Sequence, residues 1–274
     1  MAKLVTAETL VPRNLDPRAR QQLEDDLYDL HSRIFRGVDR DAFVAYVIDS
    51  HAEHTWIQLY RSEDGALGGY AAVHIYERVI GGKTTAILRA ETGTLREHRG
   101  AQLVINFYAD RVIRYRAAHP LRPLYFLGSL VHPSSYALIA RHVDCVWPCQ
   151  DAETPPEILE LLGALGDAFG LDRVDAANAL VRKVGWQTID SRDDRAYWER
   201  SEKPGVQFFL RANPGYVEGH GLLTLVPLSL GVCTRGLARV LRMKGERRAR
   251  QLAARARARL AGLAPGPGAT TAAA

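Results

Sequence analysis

Arg89 and Glu91 stand two residues apart, a spacing that puts both on one face of a β-strand. A partly buried carboxylate there has a raised pKa and takes a proton through water, whereas on an open face the same two residues form a solvated ion pair. Further on, Arg96-Glu97-His98-Arg99-Gly100-Ala101-Gln102 leads into a helical pattern. Unpaired amides and the positive end of a helix dipole attract phosphate at such a start. His98 is placed either to meet that phosphate or simply to be solvated. An imidazole and a phenol come together in His132-Pro133-Ser134-Ser135-Tyr136, where His132 is a proton carrier, a helix cap or a packing residue. Nucleophilic catalysis has no local signature: there is no Gly-x-Ser-x-Gly, and Cys145 lies in a Trp147-Pro148 context. No His-x-x-x-His or Cys-x-x-Cys pair occurs, so neither a Ser-His-Asp relay nor a metal is expected.

The elements that must hold these groups follow from periodicity. An opening strand is expected within residues 1–11. Asp16-Pro17 is a helix start, and Leu23, Leu27, Leu30 and Ile34 recur at helical spacing before Gly37. A second helix begins near Asp39, with Phe43, Val44, Val47 and Ile48 on one side. Strands are expected over 55–60, 68–80 and 84–95, joined by Ser62-Glu63-Asp64-Gly65 and Gly81-Gly82 as hairpin turns. Val104, Tyr108, Val112 and Tyr115 then mark a helix on the sheet, and Leu124 to Leu127 a buried strand after it. Pro133 starts a short helix, and Thr154-Pro155-Pro156-Glu157 caps another that carries Ile158, Leu162, Leu165 and Phe169 on one face. Val206–Leu210 and the run from Leu222 read as late strands.

Composition limits the classes. The 274 residues are 47% hydrophobic, enough for one full core, which excludes a disordered or fibrous chain. The longest apolar run, from Leu222 to Cys233, is short of a membrane span and contains Pro227. The first residues lack an apolar signal segment, so a cytoplasmic protein is expected. Three cysteines, Cys145, Cys149 and Cys233, cannot frame a disulfide scaffold and read as reduced. From Arg235 onward ten Arg or Lys residues face one acid, Glu246, leaving 26 basic and 30 acidic residues elsewhere. The overall charge of +5 is therefore a property of the tail, and specific nucleic-acid binding by the body is not expected.

A meander, a helical crossover and a buried strand in this order resemble the GNAT superfamily of N-acyltransferases over roughly residues 1–145. The resemblance implies an α/β (α+β) fold: a mixed, mostly antiparallel sheet flanked by helices, here with extra C-terminal elements. It implies that the strand before the central helix, the turn and the helix start bind the pantetheine and pyrophosphate of acyl-CoA. Those positions are Gly93, Thr94, Leu95, Arg96, His98, Arg99, Gly100, Ala101 and Gln102. Aligned from Arg99, the turn keeps the Arg and the Gly after it, while Gln102 and Val104 stand where the family prefers glycine and a small residue. That departure admits an acyl-carrier-protein donor beside acyl-CoA. Glu91 resembles the family's base position; Tyr136 or His132 is the corresponding acid, although with Ser134 on the family's helix-start Asn it is Arg141 that occupies the usual tyrosine position.

The implied activity is transfer of an acyl group, including a longer fatty acyl, from an acyl-CoA or acyl-carrier-protein thioester to a primary amine by direct attack, without a metal. The acceptor is an amine-bearing small molecule or peptide. Residues 146–234 would complete the acyl or acceptor pocket. Residues 235–274 form a basic helical tail, either solvated or in contact with an acidic partner or an anionic membrane surface. Two other readings stand beside this one: an inactive GNAT scaffold that binds a partner through its Arg-rich tail, and a plain acetyl-CoA-dependent small-molecule acetyltransferase.

Overall fold

Asp16 begins the first long helix by accepting hydrogen bonds from the amides of Arg18 and Ala19 at 2.9 Å, with Pro17 supplying the fixed φ of the first helical position. The computed structural model describes residues 4–98, 103–229 and 231. Strand β1 (Leu4–Leu10) precedes that helix, α1 (Pro17–Ser32), which buries Leu23, Leu27 and Leu30. The helix stops short of Ile34, because Phe35–Arg36 turns into a two-residue strand, β2. The second helix is split. Its α-helical turn, α2 (Arg40–Phe43), continues as a π-helical turn over Val44–Ile48, and together they bury Phe43, Val47 and Ile48.

The expected meander is present as β3 (His54–Ser62), β4 (Leu67–Ile80) and β5 (Lys83–Thr94), paired antiparallel in sequence order. Helix α3 (Leu103–Ala118) carries the chain over to β6 (Leu124–Leu130), which lies parallel to β5. Along β4, Tyr70 and Ala72 face α1 and the π-helical turn, while Ala71, Val73 and Ile75 face Phe107 and Val112 of α3. This alternation gives the sheet a core on each side.

The second half extends the same sheet. After α4 (Pro133–His142) and α5 (Pro156–Ala168) come the short strands β7 (Arg173–Asp175), β8 (Asn178–Lys183) and β9 (Gln187–Thr188). Helices α6 (Arg192–Glu199) and α7 (Pro204–Ala212) lead to the last strand, β10 (His220–Pro227). The eight-stranded order is β1-β3-β4-β5-β6-β10-β8-β7, and β2 pairs with β9 in a separate ribbon. The mixed, mostly antiparallel α/β architecture expected of a GNAT-like fold is therefore present, with one parallel pair at β5 and β6.

Two readings are corrected. Val206–Leu210 is no strand but the middle of α7, where Pro204 takes a first-turn position and Val206 and Phe209 bury one side three residues apart. Five apolar residues read alike for strand and helix, and the flanking proline decides. Thr154 does not cap α5: the N-cap is Pro155, with no side-chain hydrogen bond. Cys145 and Cys149 are free thiols. Among the described residues no helix is long and apolar enough to cross a membrane. The basic tail and Cys233 lie outside the described residues.

Candidate functional site

Strands β5 and β6 pair only through Ala86–Leu88 and Leu124–Phe126. Beyond that point β5 keeps its ladder with β4 as far as Thr94, and β6 keeps its ladder with β10 as far as Leu130. The two parallel strands therefore part toward their C-terminal ends, and the edges between them lose their mutual hydrogen bonds. Such a crevice at the carboxyl ends of parallel strands is where open sheets receive ligands, and free strand edges there offer backbone donors and acceptors.

Glu91 lies on the β5 wall of this wedge with 7% of its side chain exposed. The geometry removes the open-face alternative. His74, on the neighbouring strand and 1% exposed, brings Nε2 to 2.9 Å from Glu91 Oε2. The approach is out of line for a hydrogen bond, so neither atom has an aligned partner among the described residues. The other ring nitrogen, Nδ1, lies 3.1 Å from Thr55 Oγ1. Tyr46, from the π-helical turn, also reaches Glu91; burial, with help from that carboxylate, pushes its phenol well above the usual range. Arg89 does not fold onto Glu91 as a surface pair would. Its guanidinium lies over the rings of Phe169 at 4.6 Å and Tyr46 at 5.2 Å, and it reaches across the wedge to Ser129 Oγ of β6 at 3.4 Å. From α3, the Tyr108 hydroxyl donates to the Glu91 carbonyl at 3.0 Å and also contacts Thr92 Oγ1.

At the end of β5, Gly93 is required by close packing: a Cβ there would stand 2.4 Å from Tyr70 Cε1. Thr94 ends the strand, and Leu95 buries its side chain against α1 while its amide donates to the Gly68 carbonyl at 3.0 Å. Arg96 points instead to Asp194 of α6, at 2.8 Å. His98 packs beside Gly68. Arg99, Gly100, Ala101 and Gln102, which carry the expected phosphate turn, lie outside the described residues.

At the end of β6, His132 is the N-cap of α4, its Nδ1 accepting from the Ser134 amide at 3.2 Å. It is more than a cap. Ser134 Oγ lies 2.6 Å from the same Nδ1, and Nε2 lies 2.9 Å from Asp190 Oδ2. A Ser-His-Asp chain of hydrogen bonds is thus present where the sequence led us to expect none. Its carboxylate comes from a segment 58 residues beyond the histidine, so no local motif records it. Trp198 of α6 stands edge-on to the His132 ring at 5.2 Å between centroids. Tyr136 is buried, with its hydroxyl donating to the Pro148 carbonyl at 2.7 Å, and burial raises its pKa. The structure thus groups Glu91 with His74 and Tyr46, and His132 with Ser134 and Asp190, while the Tyr136 hydroxyl belongs to neither cluster.

Helix α6 spans the mouth of the wedge. It is tied to the end of β5 by Arg96–Asp194 and to the end of β6 by Trp198, with His132–Asp190 just ahead of its first turn. Sequence reasoning passed over this helix. The one legible sign was Ser191-x-x-Asp194, which forms a capping box. Among the described residues no group of three or more His, Cys, Asp or Glu is arranged for a metal ion.

No family model and no curated protein sequence matches the chain. Solved structures do. They include a mutant of BH1408 from Bacillus halodurans, 14% identical over 55% of this chain and 99% of that one, with a TM-score of 0.33. Naa50 from Arabidopsis thaliana, in complex with the bisubstrate analogue CoA-Ac-MVNAL, is 14% identical over 56% of this chain and 93% of its own, TM-score 0.34. The GNAT family N-acetyltransferase YhbS from Escherichia coli, in complex with CoA, is 16% identical over 54% of this chain and 77% of its own, TM-score 0.34.

Proposed function

We propose that this chain is an N-acyltransferase that holds an acyl thioester in the wedge between β5 and β6 and passes the acyl group to a primary amine. The observation that carries this reading is the parting of the two parallel strands after Leu88 and Phe126 beside the buried Glu91. The pantetheine arm of a donor resembles a peptide in its amides, and the edge of β5 from Arg89 to Thr94 offers it a strand to pair with. The acceptor amine must lose a proton before or during attack. Glu91 takes that proton, directly or through one water, and His74 Nε2, 2.9 Å away, is the polar group that faces the carboxylate. Attack places the amine nitrogen on the thioester carbonyl, and the C–S bond then breaks. A thiol of pKa about 8.5 leaves as its anion near neutral pH. No acid is therefore demanded of Tyr136, whose hydroxyl would first have to leave Pro148, nor of His132, whose two nitrogens are engaged.

The wider reading includes a longer acyl chain, on CoA or on an acyl carrier protein, with the second half of the chain walling the acyl or acceptor pocket. The cytoplasm is the compartment that suits the free thiols Cys145 and Cys149. Native mass spectrometry against acetyl-CoA, a long-chain acyl-CoA and the same chain on an acyl carrier protein tests it. Retention of one donor supports the reading and fixes its class. Folded protein that retains none overturns it in favour of a binding scaffold, and deletion of Arg235 to Ala274 then tests whether partner binding and its salt dependence reside in the tail.

A further inference from the structure

We propose that Ser134 is an activated nucleophile, served by His132 as base and Asp190 as its carboxylate, that takes an acyl group from an ester or thioester. The geometry assigns each proton. The Ser134 amide donates to Nδ1 at 3.2 Å, so Nδ1 bears the lone pair in the resting state and Nε2 carries the hydrogen. That hydrogen is donated to Asp190 Oδ2 at 2.9 Å, and the Ser134 hydroxyl then donates to Nδ1 at 2.6 Å. Asp190, with 3% of its side chain exposed, and His132, with 8%, form a shielded pair. Ser134 is only half-buried, so it is less shielded than the two residues it is linked to. A carboxylate that fixes the tautomer and steadies the imidazolium, an imidazole, and a hydroxyl at hydrogen-bond distance are the working parts of serine acyl transfer. Here the serine is served by Nδ1 rather than Nε2, which changes the connectivity but not the proton path.

The step balances without a further reagent. Ser134 Oγ attacks the carbonyl carbon, its proton passes to His132 Nδ1, and the imidazolium is held by Asp190. Once Nδ1 is protonated it no longer accepts from the Ser134 amide. That N–H, in the first turn of α4, is released to the carbonyl oxygen as negative charge develops on it. The C–S or C–O bond then breaks, and the proton moves from Nδ1 to the leaving thiolate or alkoxide. Water, deprotonated by the same Nδ1, hydrolyses the acyl-serine and restores the hydroxyl. Beside the cluster, Trp198 packs edge-on to His132 and the neighbouring Tyr197 is 51% exposed, giving an aromatic wall suited to a small apolar acyl group. This activity requires no amine acceptor and no occupied wedge, so it stands or falls separately from the amine transfer proposed above.

The test is labelling of the full-length protein with a fluorophosphonate, located by peptide mapping, together with hydrolysis of p-nitrophenyl acetate. The expected result is a single adduct on Ser134 that is absent from Ser134→Ala and retained by Ser135→Ala. Asp190→Asn should label at least about 100-fold more slowly, with unchanged circular dichroism. If Asp190→Asn does not fold, hydrolysis decides the matter: Ser134→Ala, which keeps the backbone cap on His132, must lose it. Folded wild-type protein that takes no adduct on Ser134, or Asp190→Asn that labels as fast as wild type, overturns the proposal and leaves the three residues as a helix cap.

Discussion

Acidification from pH 7 to pH 4 is expected to weaken the fold through one residue, His31. It is 1% exposed and packed among Phe35, Phe43 and Trp186, with Nδ1 3.0 Å from the Tyr70 hydroxyl and Nε2 without a partner among the described residues. Burial penalises the charged ring and lowers its pKa from 6.5 to about 4. Between these values the unfolded chain binds a proton that the folded protein refuses, so stability rises with pH across that window. The contribution is complete above pH 6.5, falls as the pH drops from 6.5 toward 4, and changes no further below. At about 1.4 kcal/mol per pH unit the gap amounts to about 3 kcal/mol. Urea unfolding of wild type and His31→Asn at pH 7.5, 6, 5 and 4 measures it, since the variant keeps a polar partner for Tyr70 and has no imidazole to titrate. The difference in unfolding free energy between the two proteins should shrink by about 3 kcal/mol across the series. Parallel curves, or a His31 ring resonance titrating near 6.5, would refute the reasoning.

Gly93→Ala drives a methyl group into the Tyr70 ring and is expected to cost about 1–3 kcal/mol, read as a fall of several degrees in the thermal midpoint. Asp167 is held below the usual carboxylate range by its hydrogen bonds to Arg182 and Arg173. Its contribution is therefore present above the ordinary value of 3.8 and lost below it, and Asp167→Asn should flatten the acid limb of an unfolding curve followed by tryptophan fluorescence. Glu91→Gln should slow amine acylation by about 10²–10⁴-fold while leaving the far-ultraviolet spectrum and donor retention unchanged. Loss of donor retention together with turnover would instead make Glu91 a binding or packing residue.

The parts of the fold that were legible are those where one local rule was sufficient. Asp16-Pro17 followed by Leu23, Leu27 and Leu30 states a cap, a first turn and a buried stripe, and α1 follows it to within a few residues. Gly81-Gly82, both at positive φ, joins β4 to β5 as a tight turn should. The unread elements lack such signals. Helix α6 buries none of its residues, and β7 and β9 have three and two residues, too short for any period to register. The site was legible only in part for a related reason. Glu91 and His132 could be singled out because each sits near a recognisable strand end. His74 joins Glu91 only through the β4–β5 register, and Asp190 joins His132 only through the path of the chain after β9.

The order of the strands bears on how the chain matures during synthesis. One edge of β6 meets β5 soon after the α3 crossover, but the other waits for β10, so Leu130 must find Leu222. A nascent chain that has reached only residue 145 has every element of the resembled core, yet its last strand still has a bare, apolar edge able to pair with another chain. The closing segment is then less an appendage than a shield that arrives late. Recombinant fragments cut at the apparent end of the core would meet the same hazard: insolubility would follow from the missing neighbour even where the wedge between β5 and β6 was intact.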